Sequence, residues 1–279
     1  MVNKMKLVMD SASNIREYSG IDYEIVPLSI RTDEKEYRDD SELDVLNMVS
    51  ELEKYKGKSG SACPGTGEYM DAVKGEKEAI IVTLASKLSG SFNAAQTAAG
   101  LYMEENAGTT VYALDSNSIG PVERLIADRF KKNVDEGKSI DETFDDLTAF
   151  SKNHLRIGFC LKSLVNLANN GRISPVVAKF ANVVGIRIVG IFSEWGELQP
   201  THKARGDKKS FDAMLENIEN AGYKGGRMYI DHCDGLSTAL TLREKVLEKY
   251  PGAEVTIGET TGLCSFYAER GGIVFGYEI

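Results

Sequence analysis

Apolar residues along this chain gather in short runs. Residues 6–9, 23–27, 79–84, 109–114, 156–160, 186–192, 227–230, 253–257 and 273–277 are such runs. Runs of about four to eight apolar or β-branched residues, bounded by Gly, Asp, Asn or Ser, predict buried strands. Between many of them the apolar positions recur every three or four residues, as in 43–55, 121–136, 139–152, 209–221 and 236–250. That period places one apolar stripe along a helix. Strands alternating with amphipathic helices build βαβ units and a mostly parallel sheet. Ligands of such sheets collect in the loops at the carboxyl ends of the strands.

These loops are rich in hydroxyls. Asp10-Ser11-Ala12-Ser13 follows the first predicted strand. Ser86-Lys87-Leu88-Ser89-Gly90-Ser91 and Asp115-Ser116-Asn117-Ser118 follow the strands at 79–84 and 109–114, and Ser61 and Thr66 stand in a fourth loop. Each of the first three is expected to enter a helix, whose leading N–H groups lack helical partners and attract negative charge. The same residue types also serve as plain N-caps. If the loops share one sheet edge, they line one crevice.

A length of 279 residues suits one large domain or two medium ones. The first alternating series ends near 150–160, which predicts domains at 1–155 and 156–279. With 42% hydrophobic and 27% charged residues the chain is neither disordered nor fibrous. A net charge of −9 argues against nucleic acid as a partner. Cys63, Cys160, Cys233 and Cys264 lie far apart without a CxxC. That excludes a zinc ribbon or a dithiol redox pair and fits a reducing cytoplasm. Before Asp10 the apolar run is only Leu7-Val8-Met9, too short for a secretory signal. The longest apolar region, 176–192, is interrupted by Lys179 and Arg187, so no membrane span is expected.

The common catalytic fingerprints are missing. There is no P-loop, HExxH or GxSxG, and Gly65-Thr66-Gly67 meets Met70 where a dinucleotide fingerprint needs its third glycine. Only His154, His202 and His232 are present. A Ser- or Cys-dependent acyl hydrolase would need Cys63 or a loop serine with His232 as its base. Asp231-His232-Cys233-Asp234 reads equally as a strand-end turn. What remains is a set of hydroxyls, helix-end N–H groups and Arg172, in Gly171-Arg172-Ile173-Ser174. A guanidinium holds a carboxylate by two parallel bonds. This chemistry suits binding an anion more than transforming one, and no cofactor or metal is expected. On these residues alone any small anion fits.

Several ordered segments decide how the chain is read further. Asp10-Ser11-Ala12-Ser13-Asn14, Val26-Pro27-Leu28 with Tyr37-Arg38-Asp39-Asp40, and Ser61-Ala62-Cys63-Pro64-Gly65-Thr66-Gly67-Glu68-Tyr69 come first. Leu88-Ser89-Gly90-Ser91-Phe92-Asn93-Ala94-Ala95, Asp115-Ser116 with Gly120, Asn170-Gly171-Arg172-Ile173-Ser174 and Lys203-Ala204-Arg205-Gly206 follow. In this order, over nearly the whole chain, they resemble the DegV family of bacterial fatty-acid-binding proteins. Each motif is loose alone; the ordered set is specific.

The resemblance implies two α/β domains, the N-terminal one with a mostly parallel sheet and the C-terminal one with a mixed sheet, and the ligand at their interface. It implies a long-chain fatty acid whose carboxylate meets Ser61, Ser89 or Ser91, with Arg172 supporting the head group. Its tail would run into an apolar tunnel of the C-terminal half. Asp10, Ser11, Thr66 and Ser116 would be loop contacts. It also implies a non-catalytic role, with the acid presented to a separate ATP-dependent kinase. Three positions depart from the family pattern: Cys63 replaces a glutamine, Gly65 a serine, and Thr260, before Thr261, a histidine. Thr260 and Thr261 would then meet the head group through uncharged hydroxyls. Burying a methylene gains ~0.8 kcal/mol, so about fourteen could supply ~11 kcal/mol at most. Desolvating the carboxylate costs several kcal/mol unless it is hydrogen-bonded.

Overall fold

The computed structural model describes residues 5–178 and 185–279; Lys179, which interrupts the apolar region, lies outside them. Strand β1 (Lys6–Asp10) runs into a 3-10 turn at Ser11–Ser13 and is followed by β2 (Asp22–Val26). Next come β3 (Ser29–Thr32), β4 (Glu36–Arg38), α1 (Val45–Lys54), β5 (Ser59–Ala62) and α2 (Thr66–Ala72). The alternation then becomes regular through β6 (Glu78–Thr83), α3 (Ser91–Glu105), β7 (Thr110–Asp115), α4 (Pro121–Asp135) and α5 (Ile140–His154). The rest comprises β8 (Leu155–Leu161), α6 (Val165–Asn169), the short α7 (Pro175–Ala178), β9 (Ile186–Phe192) and β10 (Leu198–Arg205). It ends with α8 (Asp207–Asn220), β11 (Arg227–His232), α9 (Leu236–Lys249), β12 (Glu254–Glu259), α10 (Gly262–Ala268) and β13 (Ile273–Glu278).

The first sheet, in the order β2-β1-β6-β7, is wholly parallel. Its central strands are covered on both faces, which explains their unbroken apolar runs. Val8 and Ile81 face α2 and α3 through Ala95, Ala98 and Tyr102. Leu7, Met9, Ile80 and Val82 face the opposite way, toward Leu125 and Phe130 of α4. The second sheet, β10-β9-β8-β13-β11-β12, is mixed: only β11 and β12 run parallel. Helix α4 joins the two layers. Its start lies against β13 so closely that a Cβ on Gly276 would come 2.8 Å from the Val122 nitrogen. One apolar cluster therefore runs from Leu7 and Ile80 through Leu125 to Phe159 and Val274.

Several features differ from the expectations. Residues 29–62 contain a third, antiparallel sheet, β4-β3-β5. And the loop after β1 enters a single 3-10 turn, because Asn14 adopts a left-handed conformation (φ 57°) and ends it at once. Hence, of the three hydroxyl-rich loops, only those after β6 and β7 lead into long helices.

Candidate functional site

The carboxyl ends of β6 and β7, strand β5, helix α10 and the β8–β9 face of the second sheet enclose a cavity. Leu28, Leu84, Leu88, Ile119 and Leu263 line it from one side, and Phe159, Leu161, Phe192, Leu198 and Val274 from the other. Its empty volume is about 630 Å³, mouth included. Its polar lining is Ser61, Ser89, Arg172 and Tyr267. The Ser61 and Tyr267 hydroxyls are 2.8 Å apart. Ser89 Oγ accepts the Ser91 N–H at 3.2 Å, which leaves its own proton to donate elsewhere. Arg172 gives one bond, of 3.3 Å, to the Asn170 carbonyl, and no carboxylate of the described residues pairs with it. Three hydroxyls and one guanidinium thus interrupt an otherwise apolar lining.

Tyr267 is absent from the sequence expectations. It reaches Ser61 because α10 is clamped from the other half of the chain. Asp39 accepts the Gly262 and Leu263 N–H groups at 2.6 and 2.8 Å. Asn14 Oδ1 accepts from both the Thr261 N–H and hydroxyl at 3.0 Å. Asn14 Nδ2 in turn donates to the buried Asp231 at 2.8 Å, and Arg124 donates to the Asn14 carbonyl at 2.7 Å. The first N–H groups of a helix need acceptors, and two buried side chains supply them here. No local pattern signals Tyr267, since its partner is 206 residues away.

Of the residues expected at the head group, the structure brings Ser61, Ser89 and Arg172 to the cavity and leaves the others elsewhere. Ser91 is fully buried behind it, 3.0 Å from the Tyr69 hydroxyl. Thr260 and Thr261 line a second, more polar cleft together with Arg16, Tyr229 and His232. Their hydroxyls are already engaged: Thr260 with Ser265 at 2.6 Å and the His232 carbonyl at 3.2 Å, Thr261 with the Ser11 carbonyl at 2.7 Å. Ser11 Oγ accepts the Leu28 N–H, and Ser116 Oγ accepts the Ser118 N–H. Thr66 opens α2 and does not line the cavity. Asp10 is buried and accepts from the Leu84 and Ala12 N–H groups at 3.0 and 3.2 Å. Nor does a hydrolytic pair assemble. Cys63 is exposed beside Gly90, whereas His232 is buried in the other cleft with its Nδ1 accepting from Gly235.

Residues 4–278 match the family model described as "Uncharacterised protein, DegV family". The chain belongs to the DegV family. A DegV domain-containing protein of Streptococcus pyogenes serotype M18 is 35% identical over 98% of this chain and 99% of its own. A DegV family protein from Eubacterium eligens, solved loaded with heptadecanoic acid, superposes with a TM-score of 0.95 at 39% identity, covering 98% of this chain and 99% of that one. The Streptococcus pneumoniae Fatty Acid Kinase (Fak) B3 protein, solved loaded with linoleic acid, gives a TM-score of 0.95 at 35% identity over 99% of each chain.

Beneath the cavity this DegV chain holds two buried acids. Asp10 and Glu123, in the first turn of α4, are both without exposed surface. Burial pushes Asp10 up to about 7, against the opposing pull of its hydrogen bonds from Leu84, Ser91 and Ala12. Glu123 has no hydrogen-bond partner on either oxygen among the described residues. Burial, reinforced by Asp10 and Asp115, holds it well above the usual carboxylate range. The helix dipole at its position favours the anion by at most about 2 kcal/mol. An unpaired buried carboxylate costs more than that. Of the two, Asp10, with its N–H donors, ionises first as pH rises, and the unpartnered Glu123 keeps its proton longer. Among the described residues no helix is long and apolar enough to cross a membrane.

Proposed function

We propose that this DegV chain binds one long-chain fatty acid non-covalently and presents it to an ATP-dependent fatty acid kinase, without itself catalysing a reaction. The observation that carries the reading is an apolar cavity whose polar lining is Ser61, Ser89, Tyr267 and Arg172. The hydroxyls and the guanidinium offset the desolvation of a carboxylate. The apolar walls take the acyl chain, each buried methylene adding ~0.8 kcal/mol. The E. eligens and S. pneumoniae neighbours, solved with heptadecanoic and linoleic acid, support the ligand class. The name of the latter supports the kinase. The reading also keeps two units, 1–155 and 156–279, meeting where α5 passes directly into β8. It places the protein in the cytoplasm, in keeping with four free cysteines.

Native mass spectrometry of the chain purified from a bacterial host tests this. The expected spectrum shows one fatty acid per protein, of about fourteen to eighteen carbons, a range that the family resemblance implies and that buries enough methylenes to hold it. A ligand-free protein that also fails to take up added palmitate or oleate contradicts the reading.

A further inference from the structure

The cavity has a far end, and its construction bears on which acids fit. The inference rests on the fatty-acid reading above. Sheet register orders the wall by depth. Leu161 pairs with Ile188, Phe159 with Gly190 and Gly158 with Ile191, so Phe192 stands a further step from the α6 end of β8. Arg172 marks that α6 end, since it follows α6 with its N–H bonded to the Leu167 carbonyl, and Ser61 joins it there because its strand β5 packs against α6. At about 3.3 Å per residue, the wall from Leu161 down to the level of Phe192 spans roughly 13 Å.

At that depth two rings meet. Phe159 and Phe192 are in edge-to-face contact, centroids 6.2 Å apart and planes at 73°. Phe159 is 1% and Phe192 8% exposed. The Phe159 ring lies across the neighbouring strand only because position 190 is glycine: a Cβ there would come 2.3 Å from Phe159 Cζ and 2.5 Å from the Gln199 carbonyl. Leu198, paired with Phe192 on the edge strand β10, completes the wall. An aromatic pair held by packing, with a glycine cut to receive one ring, does not yield to an incoming methyl group as a flexible side chain would.

We propose that the Phe159–Phe192 pair, backed by Leu198, is the stop that sets the maximum acyl length this protein accepts. Below the limit, affinity rises about fourfold with each added methylene. Beyond it, a longer chain must displace a ring or leave its carboxylate short of Ser61 and Arg172, and affinity falls. The tail-end wall, rather than the head-group end, then selects among saturated acids.

The test is competition by native mass spectrometry, with an equimolar mixture of saturated acids from ten to about twenty carbons and the full chain stripped of lipid. The wild type is expected to show a sharp upper cutoff. Phe192→Leu shortens the stop with little change in polarity, and its cutoff is expected to move to longer acids. Leu198→Phe fills the same end, and its cutoff is expected to move to shorter ones. Opposite shifts separate a measured length from general loosening, and thermal melts show that both variants fold. Cutoffs unmoved in both folded variants overturn the inference and leave fatty-acid binding standing. A wild type that takes up none of the acids overturns both.

Discussion

Changing Ser61→Ala and Ser89→Ala together is expected to weaken fatty-acid binding by about 1–3 kcal/mol, roughly 5- to 150-fold. Both hydroxyls line the cavity beside Arg172. Ser89 accepts the Ser91 N–H and so keeps its proton for a carboxylate, and one hydroxyl of the Ser61–Tyr267 pair keeps its own. Hydrogen bonds to a charged oxygen are stronger than neutral ones, and alanine leaves the carboxylate under-solvated in a site where water does not replace it. Ser91→Ala supplies the control. That hydroxyl is buried against Tyr69, so its loss is expected to lower stability while affinity stays within about twofold. Calorimetric titration with oleate reads all three. Equal affinity for the double variant and the wild type would remove Ser61 and Ser89 from the site.

The second large effect concerns stability, and its sign depends on pH. Glu123 is buried, unpartnered and held in its neutral form by burial. In the unfolded chain a glutamate ionises near pH 4.3. Below that value both states are protonated and the folded protein keeps its full stability. As pH rises, the unfolded state releases a proton that folded Glu123 retains. Stability then falls by about 1.4 kcal/mol per pH unit until Glu123 ionises in place. Glu123→Gln has the same shape and nothing to titrate. It is expected to match the wild type to within a constant offset at pH 4 and to gain on it progressively as pH rises above the unfolded-state value. Asp10, pushed up to about 7, adds a similar decline between about pH 4 and 7, but it is present in both proteins and cancels in the difference. Urea unfolding across this range measures it. Curves for the two proteins that run parallel would mean that Glu123 is ionised in the fold.

How much of this was legible in the sequence follows from the range of the interactions involved. The strands at β1, β6, β7, β8 and β13 were readable because burial on both faces demands long apolar runs, as in Ile80, Ile81 and Val82. The antiparallel sheet at 29–62 was not. Its strands β3 and β5 read Ser-Ile-Arg-Thr and Ser-Gly-Ser-Ala, with no apolar alternation to betray them. Edge strand β10 hid in the same way behind Pro200, His202 and Lys203, in a segment where the register shifts. Resemblance pointed to Ser61, Ser89 and Arg172, which the fold does gather. It also pointed to Thr260, whose hydroxyl bonds locally to Ser265 instead. Tyr267 escaped notice because it depends on Asn14 and Asp39 clamping α10 across more than two hundred residues of chain. No local window contains that information.

A crystal structure of the protein grown with palmitate or oleate tests the head-to-tail placement most directly. The expected map has continuous density from a carboxylate within hydrogen-bonding distance of Ser61, Ser89 or Tyr267, running past Leu161 to the ring of Phe159. Density for the acid in the cleft beside His232, or an empty channel closed by its own side chains, would contradict it.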